Sequence, residues 1–270
     1  MEEEIIECTE VTTVSSQQLE AIERANVDIQ VATARKFPRN IKKCIDNSIA
    51  MATMDYDTAK ECCYALPRGG KTITGESVHL ARIIVSCYGN LRAESKITSV
   101  TDTTVTATAM VWDLEANVAV KKEASRSIVG SKGRFKEDMI LVTGNAVAAI
   151  AYRNAVFDVV PKAITKKVYN AAQEVITGDV SDETKLIKKR KEVIDGFKNT
   201  YGIEEKDLLK VIGLNTTSQI KAEQLSVLIG IAQSLKDGVT TVDELMDGVR
   251  SRADKAKDFL KKKESEQNNG

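Results

Sequence analysis

The sequence predicts an α+β fold: an antiparallel β-meander of three or more strands packed on a long core helix, with helices before it and a small helical module after it. Three observations carry this. Near Leu91 the apolar pattern changes from helical period to alternation, read as strands as far as Val129. The stretch that follows, Glu137 to Pro161, is the most apolar of the chain and too long for a strand. Beyond residue 182 short amphipathic helical patterns recur in a more polar composition. With 270 residues, 42% apolar and 29% charged, the chain has ample material for a core.

The first helix is expected over 15–36, with Ser15 or Ser16 as N-cap and an end before Phe37-Pro38. A second is expected from Ile41 to Tyr64, since Ile41, Cys44, Ile45, Ile49, Ala52 and Ala59 recur at helical spacing. It stops at the Pro67-Arg68-Gly69-Gly70 turn. The third opens at Gly75-Glu76-Ser77 and closes at Gly89-Asn90, with apolar residues around most of its circumference.

Strands then follow at Leu91–Val100, Thr104–Trp112 and Val118–Val129, separated by the polar turns Thr101-Asp102-Thr103 and Asp113–Asn117. Gly130-Ser131-Lys132-Gly133-Arg134 reads as a basic loop. In the Glu137–Val160 helix, acidic Glu137 and Asp138 suit the N-terminus, Pro161 bars continuation, and the alanines allow close packing. Gly144 inside it costs a little stability.

Thr177-Gly178-Asp179-Val180-Ser181 marks a boundary, and helices such as Glu192–Tyr201 and Lys221–Leu235 build the module beyond it. The expected organisation is an acidic helical segment at 1–34, an α+β core at 35–176, a partner-binding helical module at 182–250, and a charged, disordered tail at 251–270.

The formal net charge is zero, yet it is divided along the chain. Residues 1–30 carry one basic and eight acidic side chains, whereas residues 31–170 carry 21 basic and 13 acidic ones. A basic body permits an anionic partner such as nucleic acid. The apolar runs are expected to fall short of the roughly 20 residues that span a bilayer. The acidic start MEEEIIECTE lacks the basic, then apolar, signature of a secretory signal, so the protein is expected to stay in the cytoplasm where it is made, with reduced cysteines.

Histidine chemistry would have to use one residue, His79, which reads as a packed or surface helix histidine. Cys8, Cys44, Cys62, Cys63 and Cys87 form no C-x-x-C pair, and Cys87 reads as a small buried hydrophobe. Adjacent Cys62 and Cys63 are expected on different faces of a helix. The run Arg68-Gly69-Gly70-Lys71-Thr72 ends like a phosphate-cradling loop. Two features argue against one: Ala65 stands where the first glycine is required, and the element before it reads as helical. Asp113 and Asp158 are the acids beside apolar runs, and a turn and a helix end explain them. The sequence implies no metal, no cofactor and no catalytic residue.

Binding remains. Lys121, Lys122, Arg126, Lys132, Arg134 and Lys136 cluster in the last strand and the loop after it, and Arg153 interrupts the most apolar helix. Such a rim could follow a phosphate backbone, although lysines on a solvated edge strand give the same pattern. Arg153, among apolar neighbours, reads either as a functional group or as half of a buried ion pair.

Taken in order, Pro67-Arg68-Gly69-Gly70-Lys71, Gly75-Glu76-Ser77-Val78-His79-Leu80-Ala81, Trp112-Asp113-Leu114-Glu115 and Tyr152-Arg153-Asn154 resemble the phage-type single-strand annealing proteins. That superfamily holds the RecT, Redβ and ERF types and the eukaryotic annealing protein of double-strand-break repair. The likeness covers residues 35–165 and departs from the group at Glu76, at Arg82 and in the helix turn before Arg153.

The resemblance implies ATP-independent binding of single-stranded DNA and annealing of complementary strands by a homo-oligomeric ring or filament. Lys132, Arg134, Lys136 and Arg153 would contact phosphates, with Arg126, Lys121 and Lys122 in support. The helical module would meet a single-strand binding protein or an exonuclease. Competing readings are a phage structural or DNA-binding regulatory protein, with Asp207–Leu214 and Lys221–Leu235 as a helix-turn-helix, or a metal-dependent nuclease.

Overall fold

A computed structural model describes residues 15–68, 71–130, 133–178 and 183–248. The expected tail at 251–270 and the acidic residues 1–14 lie outside them. Helix α1 (Ser16–Lys36) is closed by a capping box in which the Ser15 hydroxyl accepts from the Gln18 amide and the Gln18 side chain accepts from the Ser15 amide. Asn40 caps α2 (Ile41–Ala52) and Asp55 caps α3 (Tyr56–Glu61). The chain then pairs as a hairpin, β1 (Cys63–Arg68) with β2 (Lys71–Glu76), in register from Cys63 opposite Glu76 to Arg68 opposite Lys71.

This corrects the expected continuous helix to Tyr64. Asp55 restarts the helix by capping the Thr58 amide, and from Cys63 the chain alternates, with Cys63 and Ala65 buried and Tyr64 and Leu66 half-buried. Cys62 caps α3 and Cys63 begins a strand, so the two buried thiols do not share a helix. The second ground against a phosphate loop changes too: a strand precedes Arg68, and a strand follows Lys71 where such a loop needs a helix N-terminus.

Helix α4 (Val78–Tyr88) is capped by Ser77, whose hydroxyl accepts from the amides of His79 and Leu80. The meander follows as expected: β3 (Leu91–Val100), β4 (Thr104–Asp113) and β5 (Val118–Ser127), antiparallel in that order. A bulge between Ile97 and Ser99 shifts the far end of β3. The third expected strand stops two residues early, and a small ribbon of β6 (Val129–Gly130) and β7 (Gly133–Arg134) spans the loop.

Helix α5 (Glu137–Val159) lies across the inner face of the sheet. Val105, Ala107, Ile128, Ile140 and Val147 pack there. A Cβ at Gly144 would stand 2.6 Å from Cδ1 of Ile97 and 3.5 Å from Val105, so glycine sets how closely helix and sheet approach. By length and composition α5 could also cross a bilayer, contrary to the expectation that no stretch is long enough; here it is the core helix.

Helices α6 (Lys162–Gly178), α7 (Glu183–Tyr201), α8 (Glu205–Ile212) and α9 (Ala222–Lys236) complete the described elements with a 3-10 turn at Thr217–Gln219, and residues 242–248 are helical. Helix α9 packs on β1 so closely that a Cβ at Gly230 would meet the Ala65 nitrogen and the Tyr64 carbonyl carbon at 2.9 Å. One core therefore runs from Leu80 and Ile84 through Cys63 and Ala65 to Phe197, Leu225 and Leu228, joining the α+β core to the helices after residue 182.

Candidate nucleic-acid interface

The sheet register separates the basic residues of the last strand. Lys122 stands opposite Ala109 and Arg126 opposite Val105, so both share the inner face with α5, while Lys121 stands opposite Met110 on the outer face. Lys122 pairs with Asp158 at 2.5 Å. Arg126 donates to the Gly238 carbonyl and to Glu244 at 2.6 Å, tying the turn after α9 to the sheet. Burial works to raise the Glu244 pKa, but Arg126 and the Thr241 amide hold that carboxyl below its ordinary value.

Arg134 donates to the Thr101 carbonyl at 2.6 Å across the far end of the meander. Lys136 is exposed just before α5, and Lys132 lies outside the described residues. The described members of the expected rim thus occupy two sheet faces and one sheet end. They do not line one path.

Arg153 is placed differently. From the middle of α5 it lies over the ring of Tyr64, 4.5 Å from its centroid, and its side-chain hydrogen bonds go to the Asn154 side-chain Oδ1 at 3.3 and 3.4 Å. No carboxylate among the described residues pairs with it, so the buried-ion-pair alternative is set aside. Burial lowers its pKa, with Tyr64, Glu76 and Asp237 opposing the shift; an arginine remains charged at neutral pH all the same.

Arg153 lines a groove of about 370 Å³ between α4, α5 and the turn after α9. His79 sits in one wall, its Nε2 3.0 Å from Asp237. That acid also accepts from Gln233 at 2.8 Å, and neighbouring Lys236 is held by Glu61 at 2.6 Å. The groove adjoins a second, of about 590 Å³, between α5 and β3, lined by Lys96, Ile97, Ala148 and Tyr152. Arg82, Asn145 and Ala149 line both.

The small side chains of α5 keep the floor open here, a use of its alanines beyond close packing. Burial raises the Tyr152 pKa against the opposing charge of Arg82. Arg82 is exposed, and neither it nor Lys96 has an ion-pair partner among the described residues. The path therefore carries two unneutralised cations, Arg153 and Arg82, against one acid that is already engaged, while Lys96, opposite Thr108, stands on the outer face of the sheet at its edge.

Sequence reasoning singles out Arg153 and passes over Arg82. The criterion that finds Arg153, an arginine inside an apolar helix, applies equally to Arg82 in VHLARIIVSCY.

The remaining candidates are structural in geometry. Asp113 binds Arg39 through both oxygens at 2.5 and 2.7 Å and accepts from the Glu115 and Ala116 amides at the turn expected of it. Cys87 is half-buried, where a small buried hydrophobe was expected. Among the described residues no group of three histidine, cysteine or acidic side chains is placed to hold a metal. Comparison with known proteins finds no matching family model, no matching curated protein and no matching solved structure.

Proposed function

We propose that this protein binds single-stranded DNA along the α4–α5–β3 groove and anneals complementary strands without ATP, as a homo-oligomer of the phage recombination type. The observation that carries the reading is the pair Arg153 and Arg82, two guanidinium groups without carboxylate partners among the described residues, on one groove floored by asparagine and alanine. Cations spaced along an open path suit a phosphodiester backbone and need no catalytic group. Lys122 and Arg126, expected in support of the phosphate contacts, are held by acids of their own chain and make no phosphate contact in this reading.

The regulatory reading asks α9 to enter a duplex groove. That helix is packed on β1 at Gly230 and exposes only Glu223 and Lys236 within its length, which favours annealing over it.

The test is annealing of two labelled complementary oligonucleotides by purified protein, with EDTA, without ATP, across a salt series. Fast, salt-sensitive annealing is the expected result. A rate equal to the spontaneous one overturns the proposal.

A further inference from the structure

Helix α1 is 21 residues and so about 30 Å long, yet it buries only Ala34, with Val27 and Val31 half-buried beside it. A different stripe, Leu19, Ile22 and Ile29, is 55, 53 and 63% exposed. These residues lie three and seven apart with Asn26 between them, the spacing of a helix seam that packs against a partner. Nothing in the chain covers that stripe among the described residues. Large apolar side chains gathered on one helix face mark an interaction surface, whereas scattered ones do not.

A second uncovered apolar surface lies at the start of α5. Leu141 is 60% exposed, with Met139, Val142, Ile97 and Val100 also exposed around it. The close approach of Ile97 to Gly144 places the β3 residue beside this helix face.

The two surfaces are held at opposite ends of the same sheet. Helix α1 is anchored where β3 begins and β4 ends: the Asn90 side chain donates to the Phe37 carbonyl at 2.9 Å, Arg39 holds Asp113, and Arg92 holds Glu23 at 2.9 Å. The α5 patch lies beside the far end, around Ile97 and Val100, six to nine strand steps and so about 20–30 Å from Leu91.

We infer that the occupant of each surface is a second copy of this chain: the Leu19–Ile22–Ile29 stripe of one subunit docks on the Leu141 patch of the next. Charge supports the choice. The segment that ends in α1 is strongly acidic, with eight acids to one base over residues 1–30, whereas the body that carries the patch is basic. Glu20 and Asp28 on α1, and Lys136 beside the patch, are exposed with no ion pair in their own chain among the described residues. Glu137 and Asp138 at the patch serve the positive end of α5. Donor and acceptor differ, so the contact is head-to-tail and propagates or closes into a ring. The inference gives the proposed oligomer its contact surfaces, and its test reads association without DNA, so it fails separately from the annealing proposal.

The full-length protein is measured by sedimentation velocity over a concentration series. Leu19→Glu/Ile22→Glu/Ile29→Glu removes the donor and Met139→Glu/Leu141→Glu removes the acceptor, with circular dichroism to verify that both fold. Each variant is expected to raise the concentration needed for association by at least about tenfold. Mixing the two leaves one intact donor and one intact acceptor, and is expected to give a one-to-one heterodimer that grows no further. A wild-type chain that stays monomeric, a donor variant that associates normally, or an acceptor variant that still pairs with itself through α1 each overturns the inference.

Discussion

The guanidinium of Arg153 lies over the ring of Tyr64, its Cζ 4.5 Å from the centroid, and so links the core helix to the hairpin β1–β2 at the mouth of the groove. The stack holds the cation in place without neutralising it. Combined Arg153→Ala and Arg82→Ala is therefore expected to weaken single-strand binding and to flatten its salt dependence. The log–log slope should fall by about 0.7 for each phosphate no longer neutralised, about 1.4 for the pair. Filter binding over a salt series measures it, and an unchanged slope removes both residues from the interface.

Arg126→Ala is expected to behave in the opposite way. Its side chain holds the Gly238 carbonyl and Glu244, so its loss should lower the melting temperature while leaving the salt slope of binding intact. The Gly238 turn borders the groove, so weaker binding at an unaltered slope fits the structural role. A slope reduced as in the Arg153 variant would return Arg126 to the phosphate contacts.

The meander and its helix are legible in the sequence because both have a clean period: alternation over Val105, Ala107, Ala109 and Val111, then an apolar run closed by Pro161. The hairpin is hidden because Ala59, Cys62 and Cys63 prolong a helical pattern, although Gly69-Gly70 between two short runs is a hairpin sign. The basic rim fails for a geometric reason. Adjacent strand residues point to opposite faces, so Lys121 and Lys122 cannot serve one path, and acids distant in sequence, Asp158 and Glu244, occupy two of the cations. The groove needs α4, α5, β3 and the turn after α9 together, and no local pattern records that.

Gly230 and Gly196 are both helical glycines, and their surroundings predict opposite effects on alanine substitution. At Gly230 the new methyl meets β1 backbone at 2.9 Å, which cannot swing aside, so Gly230→Ala should destabilise by about 1–3 kcal/mol. At Gly196, inside α7, nothing lies within 4 Å, and Gly196→Ala should stabilise by about 0.5–1 kcal/mol. Urea unfolding midpoints measure both. A neutral Gly230→Ala would mean that α9 is not seated on the hairpin as described.

Arg39 and Asp113 give the fold a dependence on acid. Burial acts to raise the Asp113 pKa, yet the bidentate Arg39 contact and the amides of Ala116 and Glu115 leave it below its ordinary value. A carboxyl with a depressed folded pKa stabilises fully above its unfolded pKa of about 3.9 and loses that contribution as pH falls through the folded value. Asp113→Asn should cost about 3 kcal/mol near neutrality, since it removes the bidentate partner of a buried guanidinium and leaves Glu115, 3.4 Å from its Nε, as the one remaining carboxylate. Its deficit should shrink as pH falls below about 4, where the unfolded wild type takes up the proton first and the folded carboxylate follows at its lower pKa. A deficit that is constant with pH would assign the loss to hydrogen-bond geometry alone.

Thiol reactivity tests the burial of the hairpin entrance. Burial pushes Cys62 and Cys63 up to about 12, the latter despite a hydrogen bond donated by Gln173, so neither forms appreciable thiolate at neutral pH. Burial raises Cys44 too, against the opposing charge of Arg39, and its thiol donates to the Tyr88 carbonyl at 3.3 Å. Cys87 is half-buried on α4, and among these four thiols it is the one a reagent can reach. Brief maleimide labelling of the native protein, read by peptide mass spectrometry, should modify Cys87 and spare Cys44, Cys62 and Cys63. Urea should expose all four. Native labelling of Cys63 at the rate of Cys87 would mean that α9 opens readily from β1, and the shared core joining the hairpin to the C-terminal helices would have to be redrawn.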